Sequence, residues 1–168
     1  VELLNGHSPT GGLRGGKYSA FEGGTMVPMI VSWPARVRKG AETDVLNSHI
    51  DFMASLGALI NVPFPKGTAR DSENALGVLL GEDDTDREYV VEQSYYRSLS
   101  VRTADWKYIE PSDEPAMIPW GPEIETGNLE APQLFDMKKH DEKKNVADRH
   151  PDIVYKLQYI LQSLRESK

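Results

Sequence analysis

Residues 13–34 of this 168-residue chain read LRGGKYSAFEGGTMVPMIVSWP, a glycine-rich stretch that runs directly into an apolar one. Seven of the chain's 14 glycines fall within residues 1–24. Glycine adopts backbone angles that other residues avoid, so this part predicts a long shaped loop rather than a helix or strand. Long loops inside compact domains are usually functional, although by composition alone a frayed terminus is the favoured alternative.

The apolar part that follows, residues 29–33, is bounded by Pro28 and Pro34. A short, almost entirely apolar run of this kind is typical of a strand buried on both faces, as in a parallel sheet covered by helices. Pro28 suits the first position of such a strand, where no ladder donor is needed. We therefore predict one buried parallel strand here.

Two helices are predicted after this strand. Residues 48–62 carry apolar side chains at helical spacing, and Ser48 with Asp51 three residues later resembles a capping box. A second, shorter helix is predicted over residues 74–80. One strand and two helices cannot complete a doubly wound sheet, so residues 1–82 are expected to be an incomplete α/β region.

A polar, acidic stretch at residues 81–86 separates this region from a second one. Beyond it, the sequence predicts strands at residues 88–93, 99–103, 106–110 and 133–137, and a helix over residues 151–166. The predicted fold class is therefore α/β. Residues 1–82 belong to the end of an incomplete doubly wound sheet, and residues 83–168 form a small antiparallel sheet packed with a C-terminal helix.

Composition excludes several kinds of protein. Hydrophobic residues make up 39% of the chain and charged residues 27%, which is typical of a folded globular protein. The net charge of −7 argues against nonspecific nucleic-acid binding, which needs clustered Lys and Arg. Residues 1–24 do not read as a secretory leader, and no apolar run approaches the ~20 residues of a membrane helix. Because there is no cysteine, thiolate metal sites and a Cys nucleophile are excluded within this chain.

The motifs in residues 13–34 resemble the sulfatase family. The family pattern there is Leu-Arg-x-x-Lys, then aromatic-Glu-Gly-Gly, then a Val-Pro strand ending in Trp-Pro, and this chain matches nearly every element in order. Residues 99–109 and the QLFD at residues 133–136 are similar to the family's C-terminal subdomain. The resemblance covers essentially the whole chain and implies the C-terminal portion of a sulfatase, with an alkaline-phosphatase-like fold.

The resemblance also implies a chemistry. Sulfatases hydrolyse sulfate esters with a formylglycine nucleophile, made from a Cys or Ser near the N-terminus, beside a calcium ion (Ca²⁺). Both are expected upstream of this chain, since Leu4 stands where a metal-binding Asp would be needed and Ser32 follows the lysine motif instead of preceding it. We expect no metal ligand here, no activity from this chain alone, and the missing N-terminal segment of the same protein as its partner.

Three side chains are the candidate site residues. Lys17 aligns with the family's sulfate-contacting lysine and is predicted to be catalytic and substrate-binding, as a point charge on a nonbridging oxygen. His7 is predicted to contact a leaving-group oxygen or a sugar hydroxyl, and Arg102 a sugar ring or a second anion. Arg14 and Glu22 are expected to form an ion pair that shapes the loop.

The predicted substrate is a sulfated carbohydrate or an aryl sulfate, and the resemblance implies a periplasmic or secreted protein. Two alternatives stay open: a phosphatase or phosphonate hydrolase of the same superfamily, and a noncatalytic carbohydrate-binding or interaction module that uses Trp106, Tyr108 and Trp120. No nucleic-acid partner and no membrane span are expected. Without the rest of the parent sheet, this chain is expected to self-associate or to be only partly ordered in residues 1–30.

Overall fold

The computed structural model describes residues 7–85, 87–120, 123–139 and 142–167. The chain divides into two compact units, one made of the residues before 28 together with those after 90, and the other of Pro28–Val90. The helices are α1 (Glu22–Thr25), α2 (Phe52–Leu59), α3 (Leu76–Leu80) and α4 (Pro151–Glu166). The strands are β1 (Val90–Gln93), β2 (Leu99–Arg102), β3 (Trp106–Ile109) and β4 (Gln133–Asp136).

The first unit is built on a four-stranded antiparallel sheet in the order β1-β2-β3-β4. Val101 of β2 lies opposite Tyr108 of β3, which in turn lies opposite Leu134 of β4. All three side chains are almost fully buried. The sheet confirms the predicted small antiparallel sheet, and each strand is one or two residues shorter than the sequence predicts.

Helix α4 covers one face of this sheet through contacts with β2 and β3. It begins at Pro151. Proline suits the first helical position, because an N–H there would have no partner within the helix. Leu157 and Leu161, four residues apart on the same side of the helix, are buried. Burying each of them contributes about 1.5–3 kcal/mol. The helix spans the predicted residues 151–166, because its apolar stripe is long and regular.

The opposite face of the sheet carries the glycine-rich segment. Ala20 and Phe21 form a buried cluster with Ile109, Phe135 and Met137, and the rings of Phe21 and Phe135 meet edge to face at 5.9 Å. This segment is therefore folded onto the sheet of its own unit, and the alternative of a frayed terminus is wrong for these residues. The short helix α1, which the sequence did not predict, begins at the next residue.

In the second unit, α2 and α3 are held around a buried aspartate. Asp51 Oδ2 accepts the Ser48 N–H at 3.1 Å, and Oδ1 accepts the Glu73 N–H at 2.9 Å and pairs with Arg87. The Ser48 contact confirms the predicted helix-cap role, but Arg87 and Glu73 show a wider one, since Asp51 ties three segments together. The predicted helix over residues 48–62 is shorter in the structure, with a 3-10 turn at His49–Asp51 before α2.

The strand predicted over residues 29–33 is wrong for this structure. The segment has no regular secondary structure, and Ile30 is 93% exposed. A strand exists only through hydrogen bonds to a neighbour, and the sheet of the first unit contains only β1 to β4 within the described residues. An apolar run is thus not sufficient to form a strand where no adjacent strand is provided.

None of the helices in the described residues combines the length and the apolar character needed to span a membrane.

Candidate functional site

The glycine-rich loop has a fixed backbone. The Ala20 N–H donates to the Thr126 carbonyl at 2.8 Å, and the Gly23 N–H donates to the Arg14 carbonyl at 2.8 Å. A Cβ on Gly23 would lie 2.5 Å from that Arg14 oxygen, and one on Gly24 would lie 2.4 Å from the Ser19 carbonyl oxygen. The loop closes on itself so tightly that both positions of the Glu-Gly-Gly motif require glycine.

Lys17 lies at the outer turn of this loop. Its side chain is exposed, whereas the neighbours Gly16 and Ser19 are buried. The Ser19 N–H donates to the Gly16 carbonyl at 2.9 Å across the turn, and Tyr18 has a φ of 85°, a conformation that is rare for a bulky residue. The structure therefore presents one exposed cation on a rigid base, with its Nζ 5.1 Å from the centre of the Tyr18 ring.

Four aromatic side chains gather beside this lysine, and we call Tyr18, Tyr95, Tyr96 and Trp120 the aromatic cluster. The Tyr18 ring lies 5.3 Å from Tyr95 and 5.4 Å from Trp120, and Tyr95 lies 5.8 Å from Trp120 and 5.0 Å from Tyr96, all edge to face. Tyr95 and Trp120 are about half exposed. Of the four, the sequence analysis singled out only Trp120. The available signal for the others was the pair of adjacent tyrosines, Tyr95 and Tyr96, between two predicted strands.

A buried charge cluster lies beneath the loop. The Nζ of Lys107, a fully buried side chain on β3, is 2.9 Å from Glu22 Oε1, 2.9 Å from Glu92 Oε2 and 3.8 Å from Glu142 Oε1. Burial lowers the pKa of Lys107, but the carboxylates of Glu92, Glu22 and Glu142 more than offset this, so that its pKa is raised. Lys107 is therefore a permanent cation inside the unit.

Glu142, which is also buried, is the carboxylate of this cluster that lies farthest from the Lys107 ammonium. Burial raises its pKa to about 7, although Lys107 and the Glu22 N–H, which donates to Oε2 at 2.8 Å, act in the opposite direction. Within the described residues its buried Oε1 accepts no hydrogen bond. The cluster holds three carboxylates against two cations, the Lys107 ammonium and the Arg102 guanidinium, whose Nε lies 3.4 Å from Glu22 Oε1. One carboxylate is therefore left without a matching positive charge, and the raised pKa places the proton on Glu142.

The predicted ion pair between Arg14 and Glu22 is wrong. Arg14 Nε donates to Glu125 Oε2 at 2.7 Å, and its Nη1 donates to the Glu142 carbonyl at 2.7 Å, while its guanidinium lies 4.0 Å from the centre of the Phe21 ring. The hydrogen bond from Arg14 also lowers the pKa of Glu125. Both motif residues are structural, as expected, but each pairs with a residue from a distant part of the chain.

The other two candidate residues differ in their surroundings. Arg102 is mostly buried, with Nε 3.4 Å from Glu22 Oε1 and with Nη1 donating to the carbonyl oxygens of Thr103 and Ala104. These contacts hold Arg102 within the first unit, and its predicted contact with substrate stays a prediction. His7 is exposed at the start of the described residues, and its role stays a prediction. Leu4 lies outside the described residues.

The buried carboxylates do not fit a metal ion. Within the described ranges, no group of three or more His, Asp or Glu side chains is arranged to hold one. Glu22, Glu92 and Glu142 converge, but the Lys107 ammonium stands where a cation would bind. The chemistry of a calcium site therefore cannot be assigned to this cluster.

No protein-family model matches the chain. A curated N-acetylgalactosamine-6-O-sulfatase from Bacteroides thetaiotaomicron is 48% identical over 165 residues, covering 98% of this chain and 32% of that protein. A solved structure, described under metabolism of multiple glycosaminoglycans by the same bacterium, superposes with a TM-score of 0.92 at 48% identity, covering 97% of this chain and 34% of that one. The chain belongs to the sulfatase family.

The sulfatase match is extensive in this chain and partial in its relatives. Arylsulfatase K from Gallus gallus is 28% identical over 159 residues, covering 88% of this chain and 27% of that protein. A second solved structure, in complex with its substrate D-glucosamine-2-N,6-O-disulfate, has a TM-score of 0.55 at 17% identity and shows the fold alone. The chain spans about a third of the length of the curated relatives and matches the C-terminal portion of a sulfatase.

Proposed function

We propose that the full-length protein containing this chain hydrolyses sulfate esters of a sulfated carbohydrate, and that Lys17 contacts the sulfate. The observation that carries the proposal is the exposed Lys17 ammonium on a loop whose backbone is fixed by buried neighbours. The loop belongs to a sulfatase segment 48% identical to an N-acetylgalactosamine-6-O-sulfatase. A rigid base matters because a preorganised charge needs no rearrangement when the reaction takes place.

Hydrolysis of a sulfate ester is favoured by a cation next to the sulfate group. As a sulfuryl group is transferred, negative charge develops on its nonbridging oxygens, by the same logic as in phosphoryl transfer. Lys17 supplies a compact positive charge that stabilises those oxygens. Because Lys17 has no ion-pair partner among the described salt bridges, its charge is available to an anionic ligand.

The remaining parts of the enzyme are proposed to come from outside this chain. Residues 1–82 would complete the catalytic α/β domain, and residues 83–168 would form the C-terminal subdomain. In the full-length protein, the upstream segment would provide the formylglycine nucleophile and the residues that hold a calcium ion, and this ion would supply positive charge next to the sulfate. We further propose a periplasmic or secreted location, since the bacterial relative is named for a glycan substrate.

We propose a 6-O-sulfated N-acetylgalactosamine residue as the first substrate to test, because the relative with 48% identity is named for that activity. In the full-length protein, Lys17→Ala is expected to lower kcat/KM for sulfate release about 10²–10³-fold, the usual effect of removing one transition-state donor. Ion chromatography of released sulfate measures this. Lys156→Ala, which removes an exposed lysine from α4, is the matched control and should leave the rate unchanged.

Two results would count against the proposal. If Lys17→Ala releases sulfate as fast as the unmodified protein, Lys17 does not contact the reacting group. If a phosphate monoester of the same sugar is hydrolysed faster than the sulfate ester, the phosphatase alternative is favoured.

A further inference from the structure

The aromatic cluster stands out among the surface features of the first unit. In a folded core, large aromatic rings are buried, as Phe21 is at 1% exposed, but Tyr95 is 50% and Trp120 48% exposed. Leaving half of each side chain in water forgoes part of the free energy that burying it would provide. Their rings nevertheless contact one another at ordinary aromatic distances, so the cluster is an ordered surface.

The turn that carries Tyr95 and Tyr96 is fixed by hydrogen bonds among buried residues. The Ser94 N–H donates to the Ser98 carbonyl at 2.9 Å, and the hydroxyls of these two residues lie 2.6 Å apart. Ser98 Oγ in turn donates to Asn128 Oδ1 at 2.5 Å, and all three residues are buried. A buried polar network under an exposed turn fixes the position of the rings above it.

The turn is also joined directly to the lysine loop. The Tyr95 N–H donates to the Tyr18 carbonyl at 3.0 Å. This backbone hydrogen bond fixes the position of the turn relative to the residue that follows Lys17. Arg97 in this turn has a φ of 69°, as Tyr18 has in the loop at 85°. Such conformations persist only where the surrounding structure enforces them, and they gather at ligand sites.

We propose that the aromatic cluster is a carbohydrate subsite that holds the sugar ring whose sulfate reaches Lys17; this inference rests on the proposed function. The ring carbons of a pyranose carry hydrogens that pack on aromatic faces, and tyrosine hydroxyls can bond to its hydroxyls. The Lys17 Nζ is 5.1 Å from the Tyr18 ring, close enough for one sulfated monosaccharide to contact both. An apolar ring face bearing an anionic group matches this pairing of aromatic surface and cation.

The test uses the full-length protein and separates the ring contact from the sulfate contact. Tyr95→Ala and Trp120→Ala are expected to raise KM for a 6-O-sulfated N-acetylgalactosamine disaccharide about tenfold, equivalent to about 1.4 kcal/mol. The value of kcat should change little, because the ring is held equally in the ground state and the transition state. Inhibition by inorganic sulfate should keep its Ki, since the contact at Lys17 is intact.

Two controls sharpen the result. Tyr159→Ala removes a tyrosine of α4 that is 60% exposed and should leave KM unchanged. Tyr95→Phe keeps the ring and should retain most of the affinity. An unchanged KM in both alanine variants would overturn the proposal, and so would an equal rise in the KM of the disaccharide and the Ki of sulfate, which would indicate a structural role.

A binding measurement separates failure of this proposal from failure of the proposed function. If the unmodified protein releases no sulfate, the proposed function fails, and calorimetric titration with the same disaccharide then tests the subsite by itself. Binding that is lost in Trp120→Ala and kept in Tyr159→Ala would support the subsite. Binding that is the same in all three proteins, or absent from the unmodified one, would overturn it.

Discussion

At the scale of single residues, the most informative side chain is Glu142. It comes from a segment far from Glu22 in the sequence, yet its carboxylate accepts the Glu22 N–H and lies 3.8 Å from the Lys107 ammonium. Its neighbours among the charged groups are Lys107, Glu22 and Glu92, and Arg14 binds its carbonyl. A carboxyl placed there is held closer to its neutral form than in water.

This position makes the stability of the protein depend on pH. Because the pKa of Glu142 is raised from 4.5 to about 7, the folded state keeps a proton between these values that the unfolded state has lost. The free energy of unfolding should therefore fall as pH rises from about 4.5 to 7, by up to about 3 kcal/mol. Glu142→Gln should flatten this dependence while its amide oxygen still accepts the Glu22 N–H.

Urea unfolding of the full-length protein at several pH values, with and without the substitution, measures the effect. The same slope of stability against pH in both proteins would contradict it. Glu130→Gln, at an exposed glutamate of the same unit, controls for the loss of one negative charge.

At the scale of elements, β3 is the strand that joins the two layers of the first unit. Successive side chains on a strand point to opposite faces, and here both faces are covered. Tyr108 and its neighbours lie on the α4 side, whereas Lys107 points to the glycine-rich segment and its carboxylates. The strand is buried on both faces although it carries a lysine, because the charge is matched inside the unit.

Removing that lysine should therefore lower the stability of the protein strongly. Lys107→Met keeps a long apolar stem but leaves Glu22 and Glu92 buried without their cation, and such uncompensated charges cost about 3–5 kcal/mol. Thermal and urea unfolding of the full-length protein should show this loss. Lys156→Met on the exposed side of α4 is the matched control, expected to stay within about 0.5 kcal/mol. An equal, small effect of both substitutions would show that the buried cluster does not depend on Lys107.

At the scale of the whole molecule, the apolar segment of residues 26–33 is largely exposed to solvent. Val27 is 73% and Ile30 93% exposed, and exposed apolar segments with free backbone groups readily pair with other chains. The curated relatives are about three times as long as the chain. That residues 29–33 form a buried strand stays a prediction for the full-length protein, where another part of the chain would have to supply the neighbouring strand.

This chain produced by itself should self-associate. We expect its apparent mass in sedimentation velocity to rise with concentration, and Ile30→Asp to weaken that rise by placing a charge in the apolar segment. In the full-length protein, the amides of residues 29–33 should be protected from hydrogen exchange, because strand pairing would engage them. A chain that stays monomeric at all concentrations, or unprotected amides in the full-length protein, would contradict this expectation.

Local signals in the sequence were enough for several features. The four strands, the helix over residues 151–166 and the glycine-rich loop with its exposed lysine follow from periodicity, proline and glycine placement, which act over a few residues. Asp51 at the helix start was also predicted, since a capping interaction joins residues only three positions apart. The family was identified from one continuous motif for the same reason.

Only the tertiary structure decided how distant residues are paired. Arg14 binds Glu125 rather than Glu22, and Glu22 is neutralised by Lys107, because charge partners are chosen by the packing of the loop on the sheet and not by nearness in sequence. The aromatic cluster likewise joins residues 18, 95, 96 and 120. Sequence determined which residues could form strands, helices and a cationic loop, whereas contacts between remote segments determined which of them share a site, since those contacts exist only once the chain has folded.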